Sequence, residues 1–211
     1  MKPVLLAGAT GLVGQAVLAA HDPEKLQITT VGRRKTGQLS REIVADFQTV
    51  MDLPGAEVAV CALGTTIARA GSRDAFRSVD YDAVLRFAEA AQTAGVTHFI
   101  VVSAVGANSK AAVFYARVKG EVERELESLG FKRLDILQPG LLLGDRQESR
   151  PVETFLRRTD PLTRLFLQGP LDRYAGITVE VMAGAIIALC EAPEAGVYRH
   201  ENRALHQLAG S

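Results

Sequence analysis

A tyrosine and a lysine in this sequence are spaced so that they can share acid–base work. Tyr115 and Lys119 lie four residues apart in a stretch with a helical pattern, so their side chains would lie on one face of a helix. An ammonium beside a phenol favours the ionised phenol, which suits proton transfer to or from a carbonyl oxygen. Ser103, at the end of a predicted strand, would hydrogen-bond the reacting oxygen or, alternatively, only close the strand. These three residues are the candidate catalytic set.

Three glycines at regular spacing form a second candidate site. Gly8, Gly11 and Gly14 follow an apolar stretch and surround the start of a helical pattern at Leu12. A pyrophosphate binds backbone N–H groups at a helix N-terminus, where glycines allow it to approach closely. The spacing is GxxGxxG rather than the general GxGxxG, and its other interpretation is a tight strand-to-helix turn. Because this turn would be the first of a β–α series, we predict a nucleotide site.

Two arginines after the second predicted strand indicate which nucleotide would bind. An NAD site usually has an acidic residue there for the adenosine ribose, whereas this chain has Arg33, Arg34 and Lys35. Guanidinium groups can hold a 2′-phosphate through paired hydrogen bonds, so the pattern favours NADP(H) over NAD. A solvated basic turn is the alternative. Asp46, after the third strand, would contact the adenine amino group or is simply a surface carboxylate.

Strands and helices that would position these residues alternate along the first 140 residues or so. Strands are predicted at 3–7, 27–31, 42–45, 58–62, 98–103 and 134–138, and helices at 12–20, 72–94 and 111–129. The second helix has Ser72 as its expected N-cap. This alternation predicts an α/β fold with a doubly wound, mostly parallel, Rossmann-like sheet flanked by helices.

The remaining residues lose this alternation and predict a small C-terminal substrate lobe. Helices are expected at 178–191 and 201–208, with a brief strand at 196–198. We expect one domain over residues 1–211, with its core at 1–143 and the lobe at 144–211 over the edge of the sheet.

Composition excludes several other classes of protein. The 24 basic and 24 acidic side chains leave no overall positive field to hold a nucleic acid. The longest apolar run, at 181–190, is about half of the roughly 20 residues that span a membrane. The histidines are scattered, which argues against a metal site, and Cys61 and Cys190 cannot form a disulfide framework. We expect no nucleic-acid, membrane or metal partner, and a cytoplasmic location.

Several segments also resemble a known family. The glycine motif and the Tyr115/Lys119 pair resemble the short-chain dehydrogenase/reductase superfamily in its atypical branch. The segments GRR (32–34), CALGTT (61–66), VKGEVE (118–123) and GDRQESRP (144–151) resemble more closely the Tat-interacting-protein-like oxidoreductases. The matches extend from residue 4 to about residue 151.

This resemblance implies roles for individual positions. NADPH would be held by Thr10, Gly11, Leu12 and Val13, by Arg33 and Arg34 at its 2′-phosphate, and by Leu63 and Gly64 after the fourth strand. Leu142 and Arg150 would lie near the nicotinamide. Tyr115 would be the active-site residue, with Lys119 as its partner. Ala104 stands where relatives often have a second serine, so the catalytic serine position stays open.

Three functions are compatible with these patterns. The first is an NADP-dependent oxidoreductase for a small carbonyl or alcohol, with Tyr115 as general acid in reduction and general base in oxidation. The second is a non-catalytic NADPH-binding sensor that acts through a protein partner, as regulators within the resembled family suggest. Epimerase or dehydratase chemistry is the third. A homodimer stays open, because the helix at 72–94 would face either the sheet or a neighbour.

Overall fold

A seven-stranded sheet forms the centre of the protein. The computed structural model describes residues 1–39, 41–49, 51–143 and 173–210. Its strands are β1 (Lys2–Ala7), β2 (Leu26–Gly32), β3 (Glu42–Val44), β4 (Val58–Cys61), β5 (His98–Val102), β6 (Arg133–Gln138), β7 (Leu142–Leu143), β8 (Ile177–Thr178) and β9 (Gly196–Glu201). The order in the sheet is β3-β2-β1-β4-β5-β6-β9, with every neighbouring pair parallel. β7 and β8 form a separate parallel pair.

Helices cover both faces of this sheet. They are α1 (Leu12–Ala20), α2 (Ile67–Ala70), α3 (Arg73–Arg77), α4 (Ala83–Thr93), α5 (Phe114–Leu129), α6 (Val179–Glu191) and α7 (Asn202–Ala209). Val17 of α1 and Ile186 of α6 are buried on one face, and Phe87 of α4 and Leu126 of α5 on the other. The predicted fold class, a doubly wound parallel sheet between helices, is therefore confirmed. Within the described ranges no helix is long and apolar enough to cross a membrane.

The first six strands agree with their predicted bounds to within one residue at each end. The reason is that parallel strands between two helical layers are buried on both faces and are therefore almost continuously apolar. β4 and β6 are buried at every position, so each has a clear signal in the sequence.

The last strand is longer than predicted. We expected a brief strand at 196–198, but β9 extends from Gly196 to Glu201 and pairs with all six residues of β6. Arg199 and His200 interrupt the apolar pattern because their side chains contact the buried carboxylates Glu123 and Asp135. Part of the segment that we expected over the edge of the sheet is therefore in the sheet itself.

The helix predicted at 72–94 contains a π-helical turn. Ser72 is its N-cap as expected, with the hydroxyl accepting a hydrogen bond from Ala75 N at 3.0 Å. The π-helical turn occupies Ser78–Asp82, between α3 and α4. An inserted π turn changes which residues face inward, and such turns are frequent at functional sites. The helix predicted at 111–129 begins three residues later, at Phe114.

A fully buried carboxylate links three strands of the sheet. Asp135 of β6 accepts hydrogen bonds from His98 Nε2 of β5 and His200 Nε2 of β9, both at 2.7 Å, and from Arg133 Nε at 2.6 Å. Burial opposes its ionisation, but the donors on His200, His98 and Arg133 outweigh that effect and hold the pKa of Asp135 well below its usual range. The cluster fixes β9 against β6.

Candidate active site

A crevice opens at the carboxyl ends of β1, β2 and β4. The strand order reverses between β1 and β4, and in doubly wound folds ligands bind at this point. The cavity has a volume of about 670 Å³. Its lining residues follow the three strands and the short helices after β4: Gly8, Ala9, Thr10, Gly11, Thr30, Val31, Gly32, Arg33, Arg34, Thr36, Phe47, Ala62, Leu63, Gly64, Thr65, Arg69, Ala70, Ala75 and Val79.

The glycine turn after β1 forms the floor of this crevice. Gly8 has a φ of 85°, and a Cβ there would lie 2.4 Å from the carbonyl oxygen of Ala62. A Cβ on Gly14 would lie 2.3 Å from the carbonyl oxygen of Gly8, so only glycine permits this contact between helix and turn. Gly11 is the N-cap of α1, without a side-chain cap or an acidic residue in the first turn. The first N–H groups of α1 are thus left for an anion.

The predicted glycine-loop residues divide into two groups. Gly8, Thr10 and Gly11 line the cavity. Leu12, Val13 and Gly14 lie outside its lining, and the side chains of Leu12 and Val13 pack into the core. If these three residues contact a phosphate, they do so through the backbone of the first helical turn.

Among the described residues, arginines supply all the charge on the cavity wall. Arg33 and Arg34 after β2 and Arg69 of α2 line it, and no carboxylate from the part of the chain that the structure describes is in the lining. Arg69 is an addition that sequence reasoning missed, because it lies far from Arg33 in the chain and has no motif. Asp46 lies outside the lining and accepts a hydrogen bond from Gln48 N at 3.0 Å within its own turn.

Lys119 is buried beside the cavity and paired with Asp80. Lys119 Nζ lies 2.8 Å from Asp80 Oδ1. A Cβ on Gly64, which lines the cavity, would lie 3.9 Å from the same Nζ. Burial opposes the charge on Lys119, but Asp80 and then Tyr115 outweigh it and raise the pKa of the ammonium. Lys119 therefore stays charged directly behind the Leu63–Gly64 wall.

Asp80 is a site residue that the sequence analysis did not single out. It lies in the π-helical turn, and its Oδ2 accepts a hydrogen bond from Thr65 N at 2.8 Å. The available signal was a carboxylate four residues after Phe76 in a segment whose inward face is otherwise apolar. A regular helical pattern cannot show that a π turn brings it toward Lys119.

Tyr115 lies in the first turn of α5 and is half-buried. Its ring packs against Phe76 of α3, with centroids 5.6 Å apart. Residues 75 and 79 on either side of Phe76 line the cavity, whereas Tyr115 and Lys119 are not among the lining residues. Leu63 and Gly64 thus form the part of the cavity wall behind which Lys119 lies, and Tyr115 is connected to the cavity only through Phe76.

Ser103 is engaged within the protein. It is buried, and its hydroxyl donates to Glu123 Oε1, which also accepts from Gln138 Nε2 at 3.0 Å. This arrangement favours the strand-closing role for Ser103. Leu142 lies in β7 and packs against the core, while Arg150 lies outside the described residues. No group of three histidine, cysteine, aspartate or glutamate side chains within the described ranges is placed to hold a metal.

Sequence similarity places the chain in a family. Residues 27–168 match the HIM1 family. The chain is 39% identical over 170 residues to HTATIP2 of Rattus norvegicus, which covers 74% of this chain and 69% of that protein. It is 36% identical over 172 residues to the mitochondrial protein fmp52 of Emericella nidulans, with 74% of each covered.

Solved structures show the same fold at low identity. A human epimerase family protein, SDR39U1 (isoform 2) with NADPH, superimposes with a TM-score of 0.67 at 19% identity, covering 94% of this chain and 74% of that one. A short-chain dehydrogenase/reductase superfamily protein from Agrobacterium tumefaciens with bound NAD also has a TM-score of 0.67, at 16% identity, covering 94% and 77%.

The names of the relatives correct one expectation and confirm another. We expected a cytoplasmic location, but the fmp52 relatives are named as mitochondrial proteins, so that expectation is contradicted. The expectation rested on cysteine content and apolar run lengths, and neither of these carries a signal that directs a protein to one compartment inside the cell. The resemblance seen in the sequence is confirmed: the chain belongs to the HIM1 family, with HTATIP2 and fmp52 among its relatives, and it has the fold of solved proteins named as epimerase-family and short-chain dehydrogenase/reductase proteins.

Proposed function

We propose that this protein is an NADP-dependent oxidoreductase that interconverts a small carbonyl compound and its alcohol. One observation carries the proposal: among the described residues, the crevice at the switch point of the sheet is lined by arginines and by no carboxylate, and a buried lysine that shares a helix with Tyr115 lies behind Gly64 of its wall. Relatives with this fold bind NAD or NADPH, which supports a nicotinamide dinucleotide as the ligand.

The crevice fits such a dinucleotide. The turn at Gly8 has no room for a side chain, and the uncapped N-terminus of α1 offers N–H groups to the pyrophosphate. Arg33 and Arg34 would hold the 2′-phosphate. Leu63 and Gly64 would contact the cofactor where the backbone passes in front of Lys119.

The residues at the far end of the crevice would handle the proton. NADPH, when bound, supplies a hydride from nicotinamide C4. Tyr115 would donate its hydroxyl proton to the substrate oxygen in reduction and accept it in oxidation. The ammonium of Lys119, which lies next to Gly64 of the cavity wall, would hold the ribose of the cofactor. Ser103 is left with a supporting role, because its hydroxyl proton is donated to Glu123.

Removal of the two arginines tests the choice of cofactor. We expect Arg33→Ala with Arg34→Ala to weaken NADPH binding by about 2–4 kcal/mol, because two charge-assisted contacts to the 2′-phosphate are lost. NADH binding should change little. Fluorescence titration with both cofactors measures this, and Lys35→Ala, a neighbouring cation outside the cavity lining, is the control. Equal loss for NADPH and NADH would contradict the 2′-phosphate assignment.

A second candidate is a non-catalytic NADPH sensor that acts through a protein partner. The observation in its favour is that two of the three candidate catalytic groups are engaged inside the protein, Ser103 with Glu123 and Lys119 with Asp80. Both contacts are compatible with the binding of NADPH, and neither requires that the protein convert a substrate.

Turnover separates the candidates. The purified protein is titrated with NADPH and then assayed for NADPH consumption across a panel of aldehydes and ketones. Consumption supports the oxidoreductase. Tight binding without consumption, together with partner capture that depends on NADPH, supports the sensor, and substrate conversion without net consumption supports epimerase or dehydratase chemistry. Absence of binding at micromolar NADPH and NADH contradicts all three.

A further inference from the structure

A carboxylate on β3 holds the basic turn that follows β2. Glu42, the first residue of β3, accepts hydrogen bonds from Thr36 N at 2.9 Å and from Gly37 N at 3.1 Å, and the hydroxyl of Thr36 donates to the same carboxylate. The hydrogen bond from the Thr36 hydroxyl is the main reason that the pKa of Glu42 is lowered. Glu42 is therefore ionised at neutral pH and binds three donors of one short segment.

The sheet fixes the other end of the same turn. Gly32 ends β2, and its carbonyl oxygen accepts a hydrogen bond from Ala45 N, directly after β3, at 3.0 Å. Between Gly32 and Thr36 lie only the three basic residues 33–35. These residues therefore form a short bridge that is held by the sheet at one end and by Glu42 at the other.

Glu42 reaches the cavity only through the turn that it holds. Arg33, Arg34 and Thr36 are lining residues of the cavity, whereas Glu42 is not among them. The side chains of the two arginines are exposed, and their like charges repel each other. On a free turn they would spread into solvent, and a ligand would have to order both backbone and side chains. A turn that is fixed at both ends has part of this order before a ligand arrives.

We propose that Glu42 is a positioning residue that fixes the basic turn and so sets the preference of the site for a 2′-phosphate. This role rests on the proposed function, because the 2′-phosphate belongs to NADPH. Arg33 and Arg34 would contact the phosphate, and Glu42 would not touch it. Glu42 would act by reducing the entropy that the turn loses when the two guanidinium groups bind.

A positioning role and a simple charge effect predict opposite results. Glu42 is an anion near a site for an anion, so loss of its charge alone would strengthen the binding of NADPH. Loss of its three hydrogen bonds would instead free the turn and weaken that binding. Glu42→Gln removes the charge but keeps a side-chain oxygen that accepts hydrogen bonds, whereas Glu42→Ala removes both. The two variants therefore separate charge from position.

Fluorescence titration of the purified protein with NADPH and with NADH tests this role. We expect Glu42→Ala to weaken NADPH binding by about 10-fold and NADH binding by less than about 2-fold, because only NADPH has the phosphate that the turn would hold. Glu42→Gln should bind NADPH at least as tightly as the wild type. Glu24→Ala is the matched control, since it removes the same charge at the opposite end of β2, and it should change neither affinity. Tighter NADPH binding in Glu42→Ala, or an equal loss for both cofactors, would overturn the proposal.

Amide hydrogen exchange in the protein without ligand measures the turn directly. In Glu42→Ala, the amides of Thr36 and Gly37 should exchange about 10-fold faster or more, because their acceptor is lost. The amide of Thr30, which donates to Arg41 O beside the start of β3, should exchange as in the wild type. Unchanged exchange at Thr36 and Gly37 would overturn the proposal, as would faster exchange at Thr30, because β3 itself would then have detached.

The two measurements also separate this role from the proposed function. A wild type that binds NADPH no better than NADH contradicts the cofactor choice of the proposed function. A preference for NADPH that survives in Glu42→Ala overturns only the role of Glu42.

Discussion

Tyr115→Phe is expected to lower kcat for carbonyl reduction by about 10²- to 10⁴-fold, which corresponds to roughly 3–5 kcal/mol of transition-state stabilisation. The substitution removes the proton donor but keeps the ring that packs against Phe76. The affinity for NADPH should therefore stay within about twofold of the wild type, since the crevice is lined by other residues. The measurement is steady-state NADPH oxidation with the best substrate from the carbonyl panel.

A second tyrosine provides the matched control. Tyr81 is half-buried in the π-helical turn, where burial raises its pKa, and the cavity lining does not include it. Tyr81→Phe should leave kcat close to that of the wild type. An unchanged kcat in Tyr115→Phe would rule out Tyr115 as the general acid, whereas equal losses in both variants would indicate damage to the helix around residues 78–82.

The second large effect concerns stability. Asp135→Asn is expected to lower the free energy of unfolding by about 3–5 kcal/mol, because it leaves the buried guanidinium of Arg133 without its counter-ion. Urea denaturation at neutral pH measures this. Glu194→Gln is the control, since Glu194 also approaches Arg133, at 4.0 Å, but its side chain is 79% exposed. We expect no measurable change there, and a loss as large as that of Asp135→Asn would contradict the assignment.

The same carboxylate makes stability depend on pH. The pKa of Asp135 is lower in the folded protein than in the unfolded chain, for the reasons given above. Its contribution is therefore fully present above the unfolded value of about 3.9 and is lost as the pH falls toward the folded value. Between about pH 5 and pH 2, the unfolding free energy of the wild type should fall more steeply than that of Asp135→Asn. Parallel curves would contradict this.

The parts of the fold that could be predicted from the sequence are those whose signal is local. β4 and β6 are buried at every position because helices cover both of their faces, which gives most of each strand an apolar sequence. The turn after β1 is marked by glycines at positions where a side chain would clash with the neighbouring backbone. β9 was underestimated because Arg199 and His200 face buried carboxylates contributed by distant segments. No local pattern contains such a pairing.

The candidate site divides in the same way. Arg33, Arg34 and the Tyr115/Lys119 spacing are local patterns; the two arginines line the crevice, and Lys119 lies behind Gly64 of its wall. Asp80 and Arg69 could not be predicted in this way, because each is brought to the site by the three-dimensional fold and not by a local sequence pattern. A π turn redirects Asp80, and a four-residue helix after β4 places Arg69 in the lining of the cavity.

The position of β9 also has a consequence for how the chain folds. β6 ends at Gln138, and the strand that covers its outer edge does not begin until Gly196. While the chain is being made, or whenever β9 detaches, β6 exposes a row of unpaired backbone groups between apolar faces, which favours aggregation. Completion of the sheet is a late, long-range event. The side chains on β9 that contact Asp135 and Glu123 hold the strand in place, and the edge of β6 is then no longer exposed.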